Sequence, residues 1–566
     1  MQQRSCPGAY YALFILSFTS LVVSVINVVY FLGGRVSVIL WPVSLLLAIM
    51  LIWWISKQQW APKLDLVSTV IYGLVTIIVS LFWGAFYFDL SWDGQWYHQA
   101  AVYALAEGWN PVTDPFKAFN EHNDLSIQHF PKLVWYYSAA VTATFGEMEW
   151  GKSIQVLVLA VAAATFWDVF RDLGFSRRRS ALAVILVTVC PVVWSEITTY
   201  LVDGMLYLFL SVFSGSAMAW IRTRRRIYLG LIVLSAVWAI NMKFTGVVFI
   251  GVSAFFISIY LLIKKRALFT RFAALTIVAL VLALFFFGFN PYVTNTIRRG
   301  HPLYPIMGST AYPSVYEQTG KDSNEELETP KNLMGKPGWY SFLYTSFSRP
   351  GNAPYNDTEN AALLFPFSLS LKDWKAYEFH ETRTAGFGPF YGIMLLLSVA
   401  AIFLLSTLST KSIRLPLLLS LVSIIVSLLL SRHFWWPRFL PQLWLLPVIP
   451  VLFLLLKART PGYRLFALSC AVLIILNGLI VLTVHMSWET RSSVQLRRQL
   501  NRLAAAKQPI EVFYGAFQYS VERKLENLDI RYEPVKRKAL KNKPHDTLVS
   551  VVQKYPNAVL YRVKPK

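Results

Sequence analysis

Long apolar runs, separated by short polar links, make up most of this chain. Thirteen runs reach or approach the roughly 20 residues that a helix needs to cross about 30 Å of hydrocarbon. They cover approximately residues 10–32, 37–56, 66–88, 151–170, 180–195, 203–221, 227–242, 245–263, 269–290, 388–407, 415–431, 438–456 and 463–486. Within each run the apolar residues are continuous rather than alternating, which excludes a transmembrane β-barrel. The pattern predicts an all-α polytopic membrane domain over residues 1–486, with about 13 transmembrane helices.

Two long polar stretches interrupt the apolar runs, at residues 89–150 and 291–387. The first contains an apolar segment, residues 131–146, which has only about 16 residues, and counting it as a span would place the basic residues 171–179 on the outer side. We therefore expect an interfacial or re-entrant helix at this segment. The second stretch is rich in Pro, Gly, Asn, Ser and Tyr, and a loop of this length usually has a function of its own.

Residues 487–566 have the composition of a small soluble domain. The segment 487–506 predicts a helix, and the segments 510–514 and 558–563 predict strands because β-branched and aromatic residues dominate them. We expect a small C-terminal α/β module.

The composition supports the membrane class and orients the chain. Hydrophobic residues are 55% of the 566 and charged residues 15%, against about a quarter charged in soluble domains. Short basic links at residues 177–179, 224–226 and 264–266 contribute to the net charge of +23, so a nucleic-acid partner is not indicated. Such links favour the cytoplasm, which places both long polar stretches and the C-terminal module on the outer side. With only three cysteines, no disulfide framework is expected.

The first outer stretch opens with acidic and aromatic residues directly after the third apolar run. Residues 88–98 read FDLSWDGQWYH. A carboxylate at the membrane surface can act as a general base towards a hydroxyl, and partial desolvation raises its basicity. Asp93 is the candidate base; the alternative is a solvated residue that begins a helix. Asp89, Tyr97 and His98 are expected to contact the acceptor or to support the site, and Asp89 could also cap a helix.

Other outer span ends carry further candidates. Asp203 opens a span and would be costly in hydrocarbon without a partner, so it could cap the helix or supply a second carboxylate. Lys243 lies in a very short link, where it could bind phosphate or reach lipid headgroups. Arg298 follows an Asn-Pro turn and is suited to a phosphate. Arg438 lies among aromatic residues and could bind a phosphate or anchor the aromatic belt.

A metal site is open at this stage. His98, His122 and His129 with Asp93 could bind a divalent cation, although their spacing matches no compact metal motif. No Walker loop, dinucleotide-binding glycine motif, nucleophile elbow or zinc-protease motif occurs in a fitting context.

Taken together, these segments resemble the GT-C class of polytopic glycosyltransferases, which includes the protein O-mannosyltransferases and the bacterial aminoarabinose transferases that modify lipid A. The Asp93 segment is similar to the acidic motif in the first large outer loop of that class. Five further segments resemble motifs or recurring segments of the class, in the same order: residues 129–137, 199–203, 242–246, 290–305 and 438–441. Two spans precede the first expected one, and Asp89 and Asp93 are separated where the class has adjacent acids.

The resemblance implies an inverting enzyme of the bacterial plasma membrane that takes a sugar from a polyprenyl-phosphate carrier on the extracytoplasmic face. Asp93 would be the general base, with Asp203 as a second catalytic carboxylate. Lys243, Arg438 and Arg298 would bind the donor phosphate, and His129 would contact the acceptor or support the site. The acceptor would be a hydroxyl of a glycolipid, a polysaccharide or a protein. No cofactor is required, and a divalent cation is left open.

Two other functions are compatible with the sequence. A polysaccharide polymerase or ligase would use a diphosphate-linked lipid donor and outer-loop residues such as Arg298, His301 and Arg349. A transporter or flippase would place ionisable residues at mid-membrane in broken helices, whereas the polar groups here gather at one rim.

Overall fold

The structure, a computed structural model, is mostly helical. It describes residues 6–58, 66–116, 121–318, 329–351, 360–364, 368–408, 411–431, 434–458, 460–540, 543–550 and 558–564, without the side chains of residues 121–123, 316, 318, 411 and 412. Helices make up 72% of it, and a small sheet lies near the C-terminal end. The predicted helical class with a C-terminal α/β module is confirmed in outline.

Short links join most of the α-helices between residues 153 and 281, and longer ones lie within the two polar stretches. In chain order they are α1 (Pro7–Phe31), α2 (Leu40–Lys57), α3 (Leu66–Phe86), α4 (Gln99–Ala106), α5 (Glu121–His129), α6 (Leu133–Phe145), α7 (Ser153–Leu173), α8 (Arg177–Thr188), α9 (Pro191–Glu196), α10 (Asp203–Thr223), α11 (Ile227–Met242), α12 (Thr245–Lys264), α13 (Phe269–Val281), α14 (Thr294–Arg299), α15 (Val315–Gln318), α16 (Gly338–Ser346), α17 (Leu371–Ala376), α18 (Tyr391–Thr407), α19 (Lys411–Leu429), α20 (Leu445–Lys457), α21 (Pro461–Ala506) and α22 (Gln518–Glu526). Wider π-helical turns lie at Gly94–His98, Leu282–Phe287 and Phe289–Val293, and tighter 3₁₀ turns at Met148–Lys152, Arg266–Leu268, Lys331–Leu333, Pro437–Phe439, Pro441–Trp444 and Arg537–Ala539.

Eight helical segments in the described part of the chain are long and apolar enough to cross a membrane. They are Pro7–Phe31, Leu40–Lys57, Leu66–Phe86, Met148–Leu173, Asp203–Thr223, Thr245–Lys264, Arg266–Phe287 and Pro461–Ala506. At 1.5 Å per residue even the shortest is about 27 Å long, close to the thickness of the hydrocarbon core. Helix α3 leaves Ile71, Val75 and Phe82 more than half exposed, and such an apolar stripe is stable against lipid but not against water. The chain is therefore a multi-pass membrane protein.

The predicted count of 13 spans is not confirmed. Four other apolar helices have only 10–17 residues, namely Ile227–Met242, Tyr391–Thr407, Ile413–Leu429 and Pro441–Lys457. The predicted run 180–195 is not one helix, because α8 ends at Thr188 and α9 begins at Pro191. Proline disfavours helical geometry in the residue before it, and Cys190 accordingly has a ψ of 123°.

The apolar segment of the first outer stretch forms α6, which the protein encloses. Residues 133–142 are all buried, and the ring of Tyr137 packs edge-on against Phe18 of α1 at 6.3 Å. With 13 residues, α6 is about 20 Å long and too short to cross a bilayer. A short helix was expected here at the membrane interface or re-entering it, and α6 is short, but it packs among side chains of the protein itself.

The C-terminal module grows directly from the last membrane helix. Helix α21 runs for 46 residues through the predicted domain boundary at residue 486. Beyond it, β1 (Ile510–Phe513), β2 (Tyr532–Pro534), β3 (Asp546–Thr547) and β4 (Leu560–Val563) form one sheet in the order β2-β1-β4-β3. β1 is parallel to β2 and antiparallel to β4, and β4 is antiparallel to β3. The two strands expected from the sequence are β1 and β4.

The module packs on the beginning of the first outer stretch. Leu90 is buried in the same apolar cluster as Leu500 of α21 and Val512 of β1. The ring of Trp92 meets that of Phe517 edge-on at 5.1 Å. The module and the Asp93 segment therefore lie on the same side of the membrane domain.

The acidic motifs and the basic links lie at opposite ends of the same helices. Helix α10 begins at Asp203 and ends at Thr223, just before the basic residues 224–226. Its 21 residues place these ends about 30 Å apart. Helix α11 returns from the basic end and stops before Lys243, so Asp203 and Lys243 lie at one rim.

Candidate active site

Arg438 is the centre of a cluster of charged side chains at this rim. Its Nη2 and Nε donate to Asp93 Oδ2 and Asp203 Oδ2 over 2.5 and 2.8 Å. Its Nη1 forms an ion pair with Glu381 Oε2 at 2.9 Å. Lys243 Nζ donates to the other oxygen of Asp203, over 2.6 Å. Four of the residues selected from the sequence thus meet at one place, joined by Glu381.

The backbone around Asp93 is fixed by a buried carboxylate, Asp89. Its Oδ1 accepts hydrogen bonds from the Ser91 amide and hydroxyl at 2.8 and 2.7 Å, and its Oδ2 accepts one from the Tyr200 amide at 2.8 Å. Burial raises the pKa of Asp89, and the charge of Lys152 opposes part of that rise. Asp89 therefore ties the Asp93 segment to the segment that leads into Asp203.

Gly94 allows the backbone to pass close to the Asp89 carboxylate. A Cβ at Gly94 would overlap Asp89 Oδ2 and Ser91 Oγ. The π-helical turn Gly94–His98 starts here, and such turns are frequent at functional sites because they re-aim side chains. The glycine thus places Asp93 directly before a widened turn.

Asp203 is held at a helix N-terminus. It is the first residue of α10, where unpaired amides and the helix dipole favour a negative charge. Glu196 faces the same terminus, and its Oε2 accepts from the Gly204 amide at 2.7 Å. Since both oxygens of Asp203 are occupied by cations, its role in the cluster is to position Lys243 and Arg438.

The two cations differ in what they can still offer a ligand. Arg438 follows Pro437 in a 3₁₀ turn, is nearly buried, and uses three of its five N–H groups on carboxylates. Lys243 has an extended backbone between α11 and α12, and its ammonium lies 4.1 Å from the centre of the Phe439 ring. Its side chain is 24% exposed and gives one of three N–H groups to Asp203. Lys243 is therefore the more available ligand for a phosphate.

Asp93 is the most accessible carboxylate on Arg438. Its side chain is 18% exposed, against 11% for Glu381 and 1% for Asp203. Arg438 holds its Oδ2, whereas among the described residues Oδ1 has no hydrogen-bond partner. A carboxylate with one oxygen fixed and the other open can take a proton from a hydroxyl brought to it.

Tyr97 and His98 lie beside Asp93 and support it. Their rings stack at 4.3 Å, and His98 Nδ1 accepts a hydrogen bond from Trp135 Nε1 at 2.7 Å. Burial lowers the pKa of His98 to about 3, against the pull of Asp93. The imidazole is therefore neutral at pH 7.

We expect His98 to make the fold sensitive to acid, by about 2 kcal/mol at pH 5. The pKa of this histidine is 6.5 when unperturbed and about 3 in the fold. Between these values only the unfolded chain binds the proton, so stability is lost as the pH falls below 6.5. His98→Asn keeps an acceptor for Trp135 and does not titrate, so its unfolding temperature in detergent should fall less between pH 7 and pH 5. The exposed His545 gives the control His545→Asn, and an unchanged pH dependence in His98→Asn would contradict the assignment.

His129 and Arg298 lie apart from the Arg438 cluster. His129 is buried, with Nδ1 at 2.7 Å from Asn295 Oδ1, and burial lowers its pKa to about 4. Arg298 Nη2 donates to the Val112 carbonyl at 2.8 Å. Both residues join the 290–305 segment to the first outer stretch, and a phosphate-binding role for Arg298 stays a prediction.

Of the metal set considered from the sequence, Asp93, His98 and His129 are described, and these three are not close enough together to share one ion; a divalent cation stays a prediction. His98 and His129 use ring nitrogens on Trp135 and Asn295, and the side chain of His122 lies outside the described residues. In the described part of the chain, the group of three acidic or histidine ligands close enough to share one ion is His380, His485 and Glu489.

Sequence reasoning missed Glu381 and Glu196. Glu381 follows His380 near the end of the second outer stretch, just before a span. This position, a charged residue close to a span end, was the one feature that could have pointed to it. Glu196 lies seven residues before Asp203 in the same outer link. Neither belongs to a recognisable motif.

Comparison with known proteins gives no assignment: no family model, no curated protein and no solved structure matches this chain.

Proposed function

We propose that this chain is a GT-C-type glycosyltransferase that moves a sugar from a polyprenyl-phosphate donor to an acceptor hydroxyl on the outer face of a bacterial plasma membrane. The observation that supports it best is the Asp93 carboxylate, which Arg438 holds by one oxygen while the other oxygen is open. Asp93 and Arg438 are 345 positions apart in the chain. A fold that joins them at one rim, beside a partly exposed lysine, fits a site for a lipid-linked phosphate and a hydroxyl.

In the proposed reaction Asp93 Oδ1 removes the proton from the acceptor hydroxyl. The acceptor oxygen attacks the anomeric carbon on the face opposite the phosphate, and the bond from that carbon to the phosphate oxygen breaks with inversion. Lys243 has two N–H groups left for the leaving phosphate and would stabilise its developing charge. Arg438 orients Asp93, and Asp203 holds Arg438 and Lys243 in place.

The proposal includes the finer topology. The eight long helices and the four shorter apolar helices would each cross the membrane. Helices α8 and α9 would cross together as one bent element, which gives 13 crossings. The Arg438 cluster and the C-terminal module would then lie outside.

The residues that a polymerase or ligase would use have structural partners. Arg349 Nη1 donates to Asp373 Oδ2 at 2.6 Å, and His301 Nδ1 accepts from the Leu303 amide of its own turn. These contacts favour the Asp93 cluster over the outer loop as the site of chemistry.

The proposal is tested with the purified full-length chain in lipid nanodiscs and a panel of radiolabelled polyprenyl sugars, each supplied as the monophosphate and as the diphosphate. We expect release of free polyprenyl phosphate and transfer of label from at least one monophosphate donor. Transfer from diphosphate donors alone would overturn the proposal in favour of a polymerase or ligase. Transfer from neither would overturn glycosyl transfer itself.

A further inference from the structure

A second group of ionisable side chains lies behind the Arg438 cluster, where the second outer stretch meets α21. His380 comes from the loop after α17, and His485 and Glu489 come from α21. All three side chains are almost completely buried, and one ligand atom from each lies within 4.8 Å of the others. His380 Nε2 is 3.2 Å from Glu489 Oε2.

The polar atoms of this group lack hydrogen bonds. None of the four imidazole nitrogens and neither carboxylate oxygen has a partner with hydrogen-bond geometry among the described residues. The carbonyls of Tyr377 and Glu378 lie beside the His485 ring and the Thr198 side chain lies beside Glu489, but none of them makes a hydrogen bond of good geometry to the group. Buried polar atoms are rarely left without partners, so six of them together point to a ligand that they share.

The ligand types and their spacing suit a transition metal. His485 and Glu489 are four residues apart, which puts them on one face of α21. Two imidazoles and one carboxylate form a ligand set known for zinc and for non-haem iron. Ligands about 2.0–2.2 Å from a tetrahedral zinc ion are about 3.3–3.6 Å apart, so the ligand atoms, which lie within 4.8 Å of one another here, would draw together by about 1 Å on binding the ion.

We infer that His380, His485 and Glu489 bind one divalent transition-metal ion of the zinc class, which fastens the second outer stretch to α21. A fourth position would be left for a water or another small ligand, as three protein ligands usually leave one.

The place of this site gives the ion a positioning role. Glu381 follows His380 in the chain, and Glu381 is ion-paired with Arg438. A metal that fixes His380 would therefore fix the carboxylate that holds Arg438 from one side. Metal binding does not require sugar transfer, so this inference is independent of the proposed function.

The experiment measures metal on the full-length chain, purified in detergent with an affinity tag that contains no histidine. After chelation and dialysis the protein is titrated with Co²⁺, and the visible absorption of the bound ion and the metal content by mass spectrometry are recorded. We expect about one Co²⁺ per chain, displaced by Zn²⁺. Wild-type protein that stays colourless and metal-free would overturn the inference.

Three variants assign the site. Loss of groups that only support a metal ligand costs about 10–100-fold in affinity, so His485→Ala should weaken Co²⁺ binding by at least about 100-fold. Glu489→Gln is nearly isosteric and covers the case in which His485→Ala does not fold; it should also weaken binding and alter the spectrum. The control His545→Ala removes an exposed histidine and should bind like the wild type. Unchanged binding in folded Glu489→Gln would overturn the assignment.

Discussion

Replacing Asp93 with asparagine is expected to lower the turnover of sugar transfer by about 10²–10⁴-fold, the contribution typical of a general base. Asparagine has nearly the same shape and leaves a donor and an acceptor near Arg438, but it cannot take up the hydroxyl proton. Turnover would be measured with the donor that the wild type accepts, and donor binding by equilibrium titration of the labelled lipid. We expect binding of the donor within a few-fold of the wild type, because Lys243, the proposed phosphate ligand, is untouched.

The matched control is Asp114→Asn, which makes the same change at an exposed residue of the same outer stretch. It should transfer sugar at the wild-type rate. Full turnover in the Asp93→Asn protein would exclude Asp93 as the base, and a loss of turnover accompanied by an equal loss of donor binding would make it a binding residue instead.

Replacing Arg438 with alanine is expected to destabilise the membrane domain by about 3–5 kcal/mol, the usual effect of removing one partner from a buried ion pair. Asp93, Asp203 and Glu381 would then lie together without the cation that joins them. The measurement is the temperature at which half of the monodisperse protein is lost on heating in detergent. The deficit should shrink as the pH falls, because protonation neutralises the repelling carboxylates.

The control for this change is Arg491→Ala. The Arg491 side chain is 72% exposed and lies 3.6 Å from Glu378, and such surface pairs contribute at most about 1 kcal/mol. Equal stability losses in the two variants would show that the Arg438 pairs are no stronger than surface pairs. Arg438→Lys restores the charge but not the three-way fork, so we expect it to recover only part of the stability.

The sequence was sufficient for the membrane class and for most of the charged cluster. The hydropathy of a membrane span is averaged over about 20 residues, so a single irregular residue does not hide the span. Charged residues at the ends of apolar runs are uncommon unless they have a function, which is why the sequence pointed to Asp93, Asp203, Lys243 and Arg438. Counting the membrane crossings between them predicted that all four lie at the same rim.

The features that sequence analysis missed depend on contacts between distant segments. The count of spans was uncertain because Pro191 breaks a run whose hydropathy is uniform. Glu381 and His380 lie in a loop without periodicity, and only the fold brings them to Arg438 and to α21. Arg298 was chosen for its charge beside a turn, and the structure adds a hydrogen bond from its guanidinium to the Val112 carbonyl that no sequence pattern indicated.

The packing of Trp92 against Phe517 has a consequence for how the protein is made. A ribosome adds about 5–20 residues per second, so the roughly 425 residues between these two rings take about 20–85 s to synthesise. During that interval the part of the chain that covers Leu90 and Trp92 is incomplete. Arg438 is added 345 positions after Asp93, so their ion pair cannot form before then. Nascent chains therefore carry an uncovered aromatic surface, and an Asp93 without its arginine, for more than half of their synthesis.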